Sequence, residues 1–164
     1  MPDNTDDDTL RTILENTKTI AMVGASLNPI RPSLFVATYL SGRNYRVIPI
    51  NPGHAGKTLL GETVVASLSD IPKDTQVDMV DIFRNSDAVP GVVDDALDHL
   101  MPGLKYIWMQ YNVRHEEAAA KARAAGLVVV EDRCPKVEHM RLLGGTNLAG
   151  LGGGRISSKL RPLS

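Results

Sequence analysis

From Ala25 to Gly61 the chain carries no aspartate or glutamate, although the whole sequence holds 19 acidic residues against 18 lysines and arginines. The gap opens directly after the most strand-like segment of the N-terminal third, Thr19-Ile-Ala-Met-Val-Gly24. Its charges are of one sign: Arg31, Arg43, Arg46 and Lys57. A strand, a glycine turn, a helix and a second strand make the phosphate-binding half of a Rossmann unit, with the pyrophosphate at the first helix N-terminus. An NAD-binding version places a carboxylate about 20 residues beyond the glycines, at the end of the second strand, to hold the ribose 2′-hydroxyl. Here that end reads Val47-Ile-Pro-Ile-Asn51-Pro52. The missing acid argues against NAD and for a ligand richer in phosphate.

Other absences narrow the class. With Cys134 as the single cysteine, no disulfide forms within the chain, which suits a reducing compartment. No apolar run approaches membrane-spanning length, and the start, Met1-Pro-Asp-Asn-Thr-Asp-Asp-Asp8, is acidic, unlike a signal peptide. A cytoplasmic protein is expected. A formal net charge of −1 provides no overall attraction to nucleic acid or membrane, and neither is expected as a partner. No internal repeat is visible. The 164 residues, 43% of them hydrophobic, suit one globular domain.

What is present alternates between strand and helix patterns. A short helix over 8–16 precedes a first strand at 19–24. Pro32 opens a helix that runs to Gly42, its expected C-cap. A second strand follows at 45–50, then a glycine-rich loop and a turn-like helix over 65–70. A third strand spans 76–83, a helix 87–100 with Pro90 in its first turn, and a fourth strand 105–110. An alanine-rich helix over 114–125 leads to a fifth strand at 127–130. Strands spaced by helical segments predict an α/β, Rossmann-like three-layer fold with a mainly parallel five-stranded sheet. The domain is expected over 1–143, with its core at 17–143. A glycine-rich basic tail over 144–164 is too rich in glycine to pack.

In open α/β sheets, ligands bind outside the carboxyl ends of the strands. Five clusters fall at those ends: Gly24-Ala25-Ser26, Asn51-Pro52, Phe83-Arg84, Met109-Gln110, and Asp132-Arg133-Cys134. Ser26 reads either as a helix N-cap or as a phosphate ligand. Arg31, with no acid near it in sequence, reads as a phosphate partner or as a solvated arginine. For Arg84 the structural alternative is a salt bridge to Asp81 or Asp87. Phe83 reads as core or as a face for adenine.

Several features are decoys. Gly56-Lys57-Thr58 imitates a P-loop, but the position needing the first glycine is Asn51. Cys134 with Glu138 and His139 lacks a second ligand pair at metal spacing, so no metal is expected. Cys134 reads as a buried thiol, or as a reactive one whose thiolate Arg133 and Lys136 favour. His54, His99 and His115 have no nucleophile in register and read as surface residues. Asp94-Asp95 and Glu116-Glu117 read as solvated helix faces.

Taken together, Val23-Gly-Ala-Ser26, Arg31-Pro-Ser33, Tyr45-Arg-Val-Ile-Pro-Ile-Asn-Pro52, Asp81-Ile-Phe-Arg84, Trp108-Met-Gln110 and Asp132-Arg-Cys134 with Glu138 resemble the small stand-alone CoA-binding proteins. Those are single Rossmann-like domains similar to the N-terminal domain of the succinyl-CoA synthetase α subunit. The resemblance spans about residues 17–143 and implies coenzyme A or an acyl-CoA as ligand. It places binding at Gly24, Ala25, Ser26, Arg31, Pro32, Ser33, Asn51, Pro52, Phe83, Arg84, Met109 and Gln110. Tyr111-Asn112 departs from the pattern, where a small, glycine-containing pair is usual. The synthetase's second domain with its phosphohistidine is missing, so ligase chemistry is not implied.

No complete catalytic constellation is visible, which favours a ligand-binding protein over an enzyme. Two enzyme alternatives stand beside it: an NAD(P)-binding oxidoreductase on the same fold, and a Cys134-dependent CoA-thiol exchange protein. A protein partner, with the basic tail as docking arm, or a homo-oligomer also remains open. Replacing Gly24 by a β-branched residue is expected to block the ligand's phosphates and leave the fold intact. The 3′-phosphate of CoA is expected to meet Arg31, Arg43, Arg46 or Arg84.

Overall fold

The structure is a computed structural model, and it describes residues 5–144. The chain runs α1 (Asp7–Asn16), β1 (Thr19–Val23), α2 (Pro32–Ser41), β2 (Arg46–Ile50), β3 (Thr58–Leu59), β4 (Glu62–Thr63), β5 (Met79–Ile82), α3 (Val89–His99), β6 (Tyr106–Met109), α4 (Glu116–Ala124), β7 (Val128–Val130) and α5 (Pro135–His139). Short 3₁₀ turns lie at Pro52–His54, Leu68–Asp70 and Ser86–Ala88, and a π-helical turn follows α5 over Met140–Gly144. Strands and helices fall where the sequence predicts them, shortened by one to three residues at most ends. The β3–β4 hairpin, α5 and the π-helical turn were not predicted. The tail expected over 144–164 lies, from residue 145 onward, outside the described residues.

The described residues form two compact units, one over Thr17–Cys134 and one made of segments 5–16 and 135–144. The first contains a five-stranded sheet, ordered β2-β1-β5-β6-β7, with every pair parallel. The predicted α/β class and parallel sheet hold. Connections from β1 run to one side of the sheet, and those from β5 and β6 to the other. Right-handed crossovers therefore set α2 on one face and α3 and α4 on the opposite one. Accordingly Val89, Val93 and Ala96 of α3 and Ala118, Ala119 and Ala122 of α4 share a core with Ala21, Ile48, Val80 and Ile107, a core that includes no α2 residue. The alternate strand residues Ile20, Met22, Met79, Asp81 and Trp108 are equally buried and turn to the other face.

In the second unit, Asp6 caps α1 by accepting a hydrogen bond from Thr9 N at 2.8 Å. Arg141 bridges Asp7, at 2.8 and 3.0 Å, to Glu138.

Two positions in the sheet matter later. Asp78, just before β5, is buried and accepts from Lys18 N at 2.9 Å, Thr19 N at 3.0 Å and Gln76 Nε2 at 3.0 Å. Asp81, mid-strand, is fully buried, and neither carboxylate oxygen has a hydrogen-bond partner. Burial pushes its carboxyl well above the usual range.

Candidate functional site

Because the chain leaves β1 and β5 in opposite directions, the crevice between their carboxyl ends is the switch point of the sheet. Gly24 stands at one lip and Phe83-Arg84 at the other. Phe83 N donates to Val23 O at 2.8 Å and ties the two lips, and Gly24 N donates to Ile50 O at 2.9 Å and ties the end of β1 to β2. The crossing is so close that a Cβ on Gly24 would stand 2.9 Å from the Phe83 carbonyl carbon and nearer still to its oxygen. Gly24 also has φ +89°, a conformation that favours glycine. The expectation that Gly24→Val leaves the fold intact is therefore corrected: this glycine is demanded by the strand crossing itself.

Three cavities meet at Phe83. The largest, about 750 Å³, runs over the ends of β1 and β2 to α3 and is lined by Gly24, Asn51, Ser67, Arg84, Asp87 and Asp95 among others. A second, about 290 Å³, lies at the start of α2 between Gly24, Ser26, Arg31, Ser33 and His54. A third, about 420 Å³, opens towards the end of β6 between Arg84, Ser86, Gln110, Tyr111 and Asn112. Phe83 lines all three, and Arg84 lines the first and third.

The second cavity has the character of an anion cradle. The N-cap of α2 is Arg31, whose side chain makes no capping bond, and Pro32 occupies the first turn. Arg31 N donates to Asn28 O at 3.0 Å and Leu34 N to Arg31 O at 3.1 Å, and Pro32 has no N–H, so among the described residues the Ser33 amide is the one of that turn left for an incoming acceptor. Ser26 is not the N-cap: its amide donates to Ser33 Oγ at 3.0 Å, and its own Oγ accepts from Asn28 N at 3.0 Å. Asn51 closes the back of the cradle, its Nδ2 donating to Ala25 O at 2.7 Å and its Oδ1 accepting from Gly53 N at 2.9 Å. Where an NAD enzyme keeps a ribose carboxylate, this carboxamide is spent on the protein's own loops. Arg31 is exposed over the cradle. His54 Nδ1 is buried there with no hydrogen-bond partner.

The third cavity is walled by a loop that three strand ends hold in place. Asn112, at φ +66°, donates its amide to Asp132 Oδ1 at 2.7 Å. Arg114 Nη2 reaches Asp132 Oδ2 at 3.2 Å, and Arg114 N donates to Ser86 Oγ at 3.0 Å. The Asn112 amide, then the Arg114 guanidinium, hold the Asp132 carboxyl below the usual carboxylate range.

The CoA binding domain family matches this chain over residues 18–140. The chain belongs to that family. It is 35% identical over 130 residues to the uncharacterized protein YneT of Bacillus subtilis (strain 168), covering 79% of this chain and 91% of that relative. Among solved structures, a hypothetical protein from Pyrococcus horikoshii OT3 superposes with a TM-score of 0.79 at 38% identity, covering 86% of this chain and 94% of that one. The dinucleotide-forming acetyl-coenzyme A synthetase 1 of Ca. Korarchaeum cryptofilum matches at 30% identity and a TM-score of 0.58, over 76% of this chain and 27% of the synthetase. The domain thus occurs both alone and as a part of a larger chain.

Against that family background, the structure sorts the predicted residues. Gly24, Ser26, Arg31, Pro32, Ser33, Asn51, Pro52, Phe83, Arg84 and Gln110 all line one of the three cavities. Ala25 is buried and meets the site through its carbonyl, which accepts from Asn51. Met109 is fully buried in the core cluster shared with α3 and α4 and lines none of the three cavities. The neighbour pair splits because successive strand residues face opposite ways. Cys134 is 5% exposed and lines none of the three cavities.

The cations also separate. Arg46 begins β2, at the opposite end of the strand from the site, and pairs with Glu62 at 2.9 and 3.2 Å. Arg43 lies over the Tyr39 ring, 4.7 Å from its centroid. Of the four arginines expected near phosphate, Arg31 and Arg84 line the cavities. The expected structural alternative for Arg84 is not realised: among the described residues no ion pair joins it to Asp81 or Asp87.

Three residues read as surface features belong elsewhere. His54 lines the anion cradle, and Asp95 lines the largest cavity although its neighbour Asp94 pairs outward with Lys121 at 2.6 Å. His115 caps α4, its Nδ1 accepting from Ala118 N at 3.1 Å. His54 was findable in principle, because it directly follows Asn51-Pro52-Gly53 at the end of β2. Among the described residues no cluster of His, Cys, Asp and Glu has metal-binding geometry, and no helix is long and apolar enough to cross a membrane.

Proposed function

We propose that this protein binds coenzyme A, free or acylated, in the groove at the carboxyl ends of β1, β2, β5 and β6. The observation that carries the reading is the anion cradle at the switch point. A helix start without a side-chain cap, the close backbone of Gly24 and Arg31 meet there, Arg84 lines the two adjoining cavities, and among the described residues neither arginine has an ion partner, in a chain of the CoA binding domain family. The nucleoside fits the largest cavity, and the phosphates lie at the start of α2, where the helix dipole, the Ser33 amide and Arg31 oppose their charge. Arg84, at the junction of the cavities, is the second phosphate partner.

The protein acts as a binder, not as an acyl-transfer enzyme. No cysteine or histidine pair stands in the cavities as nucleophile and base, since Cys134 is buried outside them and His54 has no thiol or hydroxyl hydrogen-bonded to it. A reducing, cytoplasmic setting fits the single thiol. The test is calorimetric titration with CoA, acetyl-CoA, 3′-dephospho-CoA, NAD and NADP. CoA is expected to bind about tenfold or more tightly than its dephospho form, the worth of one charged hydrogen bond. Equal or tighter binding of NAD, or turnover of acetyl-CoA that vanishes in Cys134→Ser, overturns the reading.

A further inference from the structure

Arg31 and His54 are the titratable residues that line the anion cradle, and of the two side chains only an imidazole can change its charge between about pH 5 and 8. The His54 Nδ1 is wholly buried, and among the described residues no hydrogen bond or ion pair reaches the ring. Where a protein itself favours an imidazolium, it sets a carboxylate or another acceptor on a ring N–H. Here the charged groups around the ring are all cations: Arg31 at the start of α2, Lys57 in the same loop, and Arg84 beyond Phe83 at the end of β5. No carboxylate lines the cradle, and the acid-free stretch from Ala25 to Gly61, which supplies most of its walls, has none to offer. The loop that presents the ring is fixed, with His54 N donating to Asn51 O at 3.1 Å, Gly53 N to Asn51 Oδ1 at 2.9 Å and Gly56 N to Val64 O at 2.8 Å.

We propose that His54 couples ligand binding to proton uptake: the diphosphate of a CoA-type ligand enters the cradle together with one proton from solvent, which the neutral imidazole binds to become an imidazolium beside the phosphate oxygens. The inference rests on the CoA reading and deepens it. A diphosphate link brings two negative charges, and Arg31 is the permanent cation among the cradle's lining residues. The imidazolium is the second counter-charge. The ligand, and not the protein, supplies the negative charge that a protonated ring needs beside it. The liganded state then holds more protons than the empty one, so affinity rises as pH falls from 8 to 6. A lysine in place of His54 would hold phosphate alike across that range; the histidine makes retention of the ligand depend on pH.

The probe is 3′-dephospho-CoA, because its diphosphate keeps the same charge from pH 6 to 8, whereas a terminal phosphate such as the 3′-phosphate of CoA titrates near pH 6 itself, at about the second phosphate pKa. The full chain is titrated calorimetrically at pH 6, 7 and 8, and at pH 7 in two buffers of different ionisation enthalpy. Wild-type protein is expected to bind about fivefold more tightly at pH 6 than at pH 8, and to take up a fraction of a proton at pH 7. His54→Gln, which keeps a polar side chain without a titrating group, is expected to vary less than twofold and to take up none. If dephospho-CoA binds too weakly to titrate, CoA replaces it, since the ligand's own ionisation is common to both proteins and cancels in the difference. A measurement without a variant follows the His54 ring resonances, whose titration midpoint moves to higher pH when the ligand is bound. No pH dependence in wild type, the same dependence in His54→Gln, or a His54 midpoint that the ligand leaves in place overturns the proton coupling and leaves the CoA reading standing. If neither ligand binds at any pH, the CoA reading itself fails and this inference with it.

Discussion

At the amino end of the central sheet, the buried Asp78 carboxylate accepts from Lys18 N, Thr19 N and Gln76 Nε2, and Arg46 closes a two-point pair with Glu62. At the carboxyl end of the same sheet, Gln110 Oε1 and His54 Nδ1 are buried without partners, and Arg31 and Arg84 line cavities. One edge is complete in itself, while the other keeps donors, acceptors and cations in reserve. Folding alone favours the first arrangement, since an unsatisfied buried group costs stability. The second suits the binding edge proposed above.

The largest way to break this contrast is at the hinge between the strands. Gly24→Val forces a β-branched residue into φ +89° and against the Phe83 carbonyl. It is expected to cost about 3 kcal/mol or more of unfolding free energy, from backbone strain and overpacking together. Urea denaturation measures it, and a loss below 1 kcal/mol contradicts the strand-crossing role. At the complete edge, Asp78→Ala strands the amides of Lys18 and Thr19 and is expected to cost about 2 kcal/mol by the same method, without changing CoA affinity.

Asp81 sharpens the contrast from the middle of the sheet, because it is buried and unpaired but lines none of the cavities. Its folded-state pKa is raised by burial, whereas an unfolded aspartate titrates near pH 4. The unfolded chain therefore releases this proton first, and the Asp81 contribution to stability falls as pH climbs from about 4 toward the raised folded value. Asp81→Val is expected to stabilise the protein by about 1–3 kcal/mol at neutral pH, with the gain shrinking to little near pH 4. A gain that does not depend on pH, or a loss at pH 7, rejects this account.

The smallest effect separates the cations. Arg84→Ala is expected to weaken CoA binding about tenfold at low salt, and less at high salt, with thermal stability unchanged. Arg46→Ala, at the complete edge, leaves affinity within twofold and removes only a surface pair worth under about 1 kcal/mol. Equal effects of the two on affinity would move the phosphate site away from the switch point.

The parts of this site legible in the sequence were those written in local chemistry. Gly24 follows an apolar strand, Asn51-Pro52 ends another, and the stretch between them holds no acid. The illegible parts depended on direction. Met109 and Gln110 are neighbours at one strand end, yet one enters the core and the other the third cavity. Asp94 and Asp95 diverge in the same way on α3, one to Lys121 and one to the largest cavity. Pattern shows that such positions alternate, but which parity faces the ligand depends on how the strand or helix docks.

By itself, the amino-acid sequence determined the alternation of strands and helices, and hence a parallel sheet whose carboxyl ends carry the unusual residues, because hydrophobic period and turn residues act within a few positions of the chain. Only the tertiary structure decided which of those residues share a cavity. The order β2-β1-β5-β6-β7 sets Gly24 beside Phe83, sends Arg46 to the far edge, and leaves Gln110 buried without a donor. Those relations join residues tens of positions apart, so they exist only once the strands have paired.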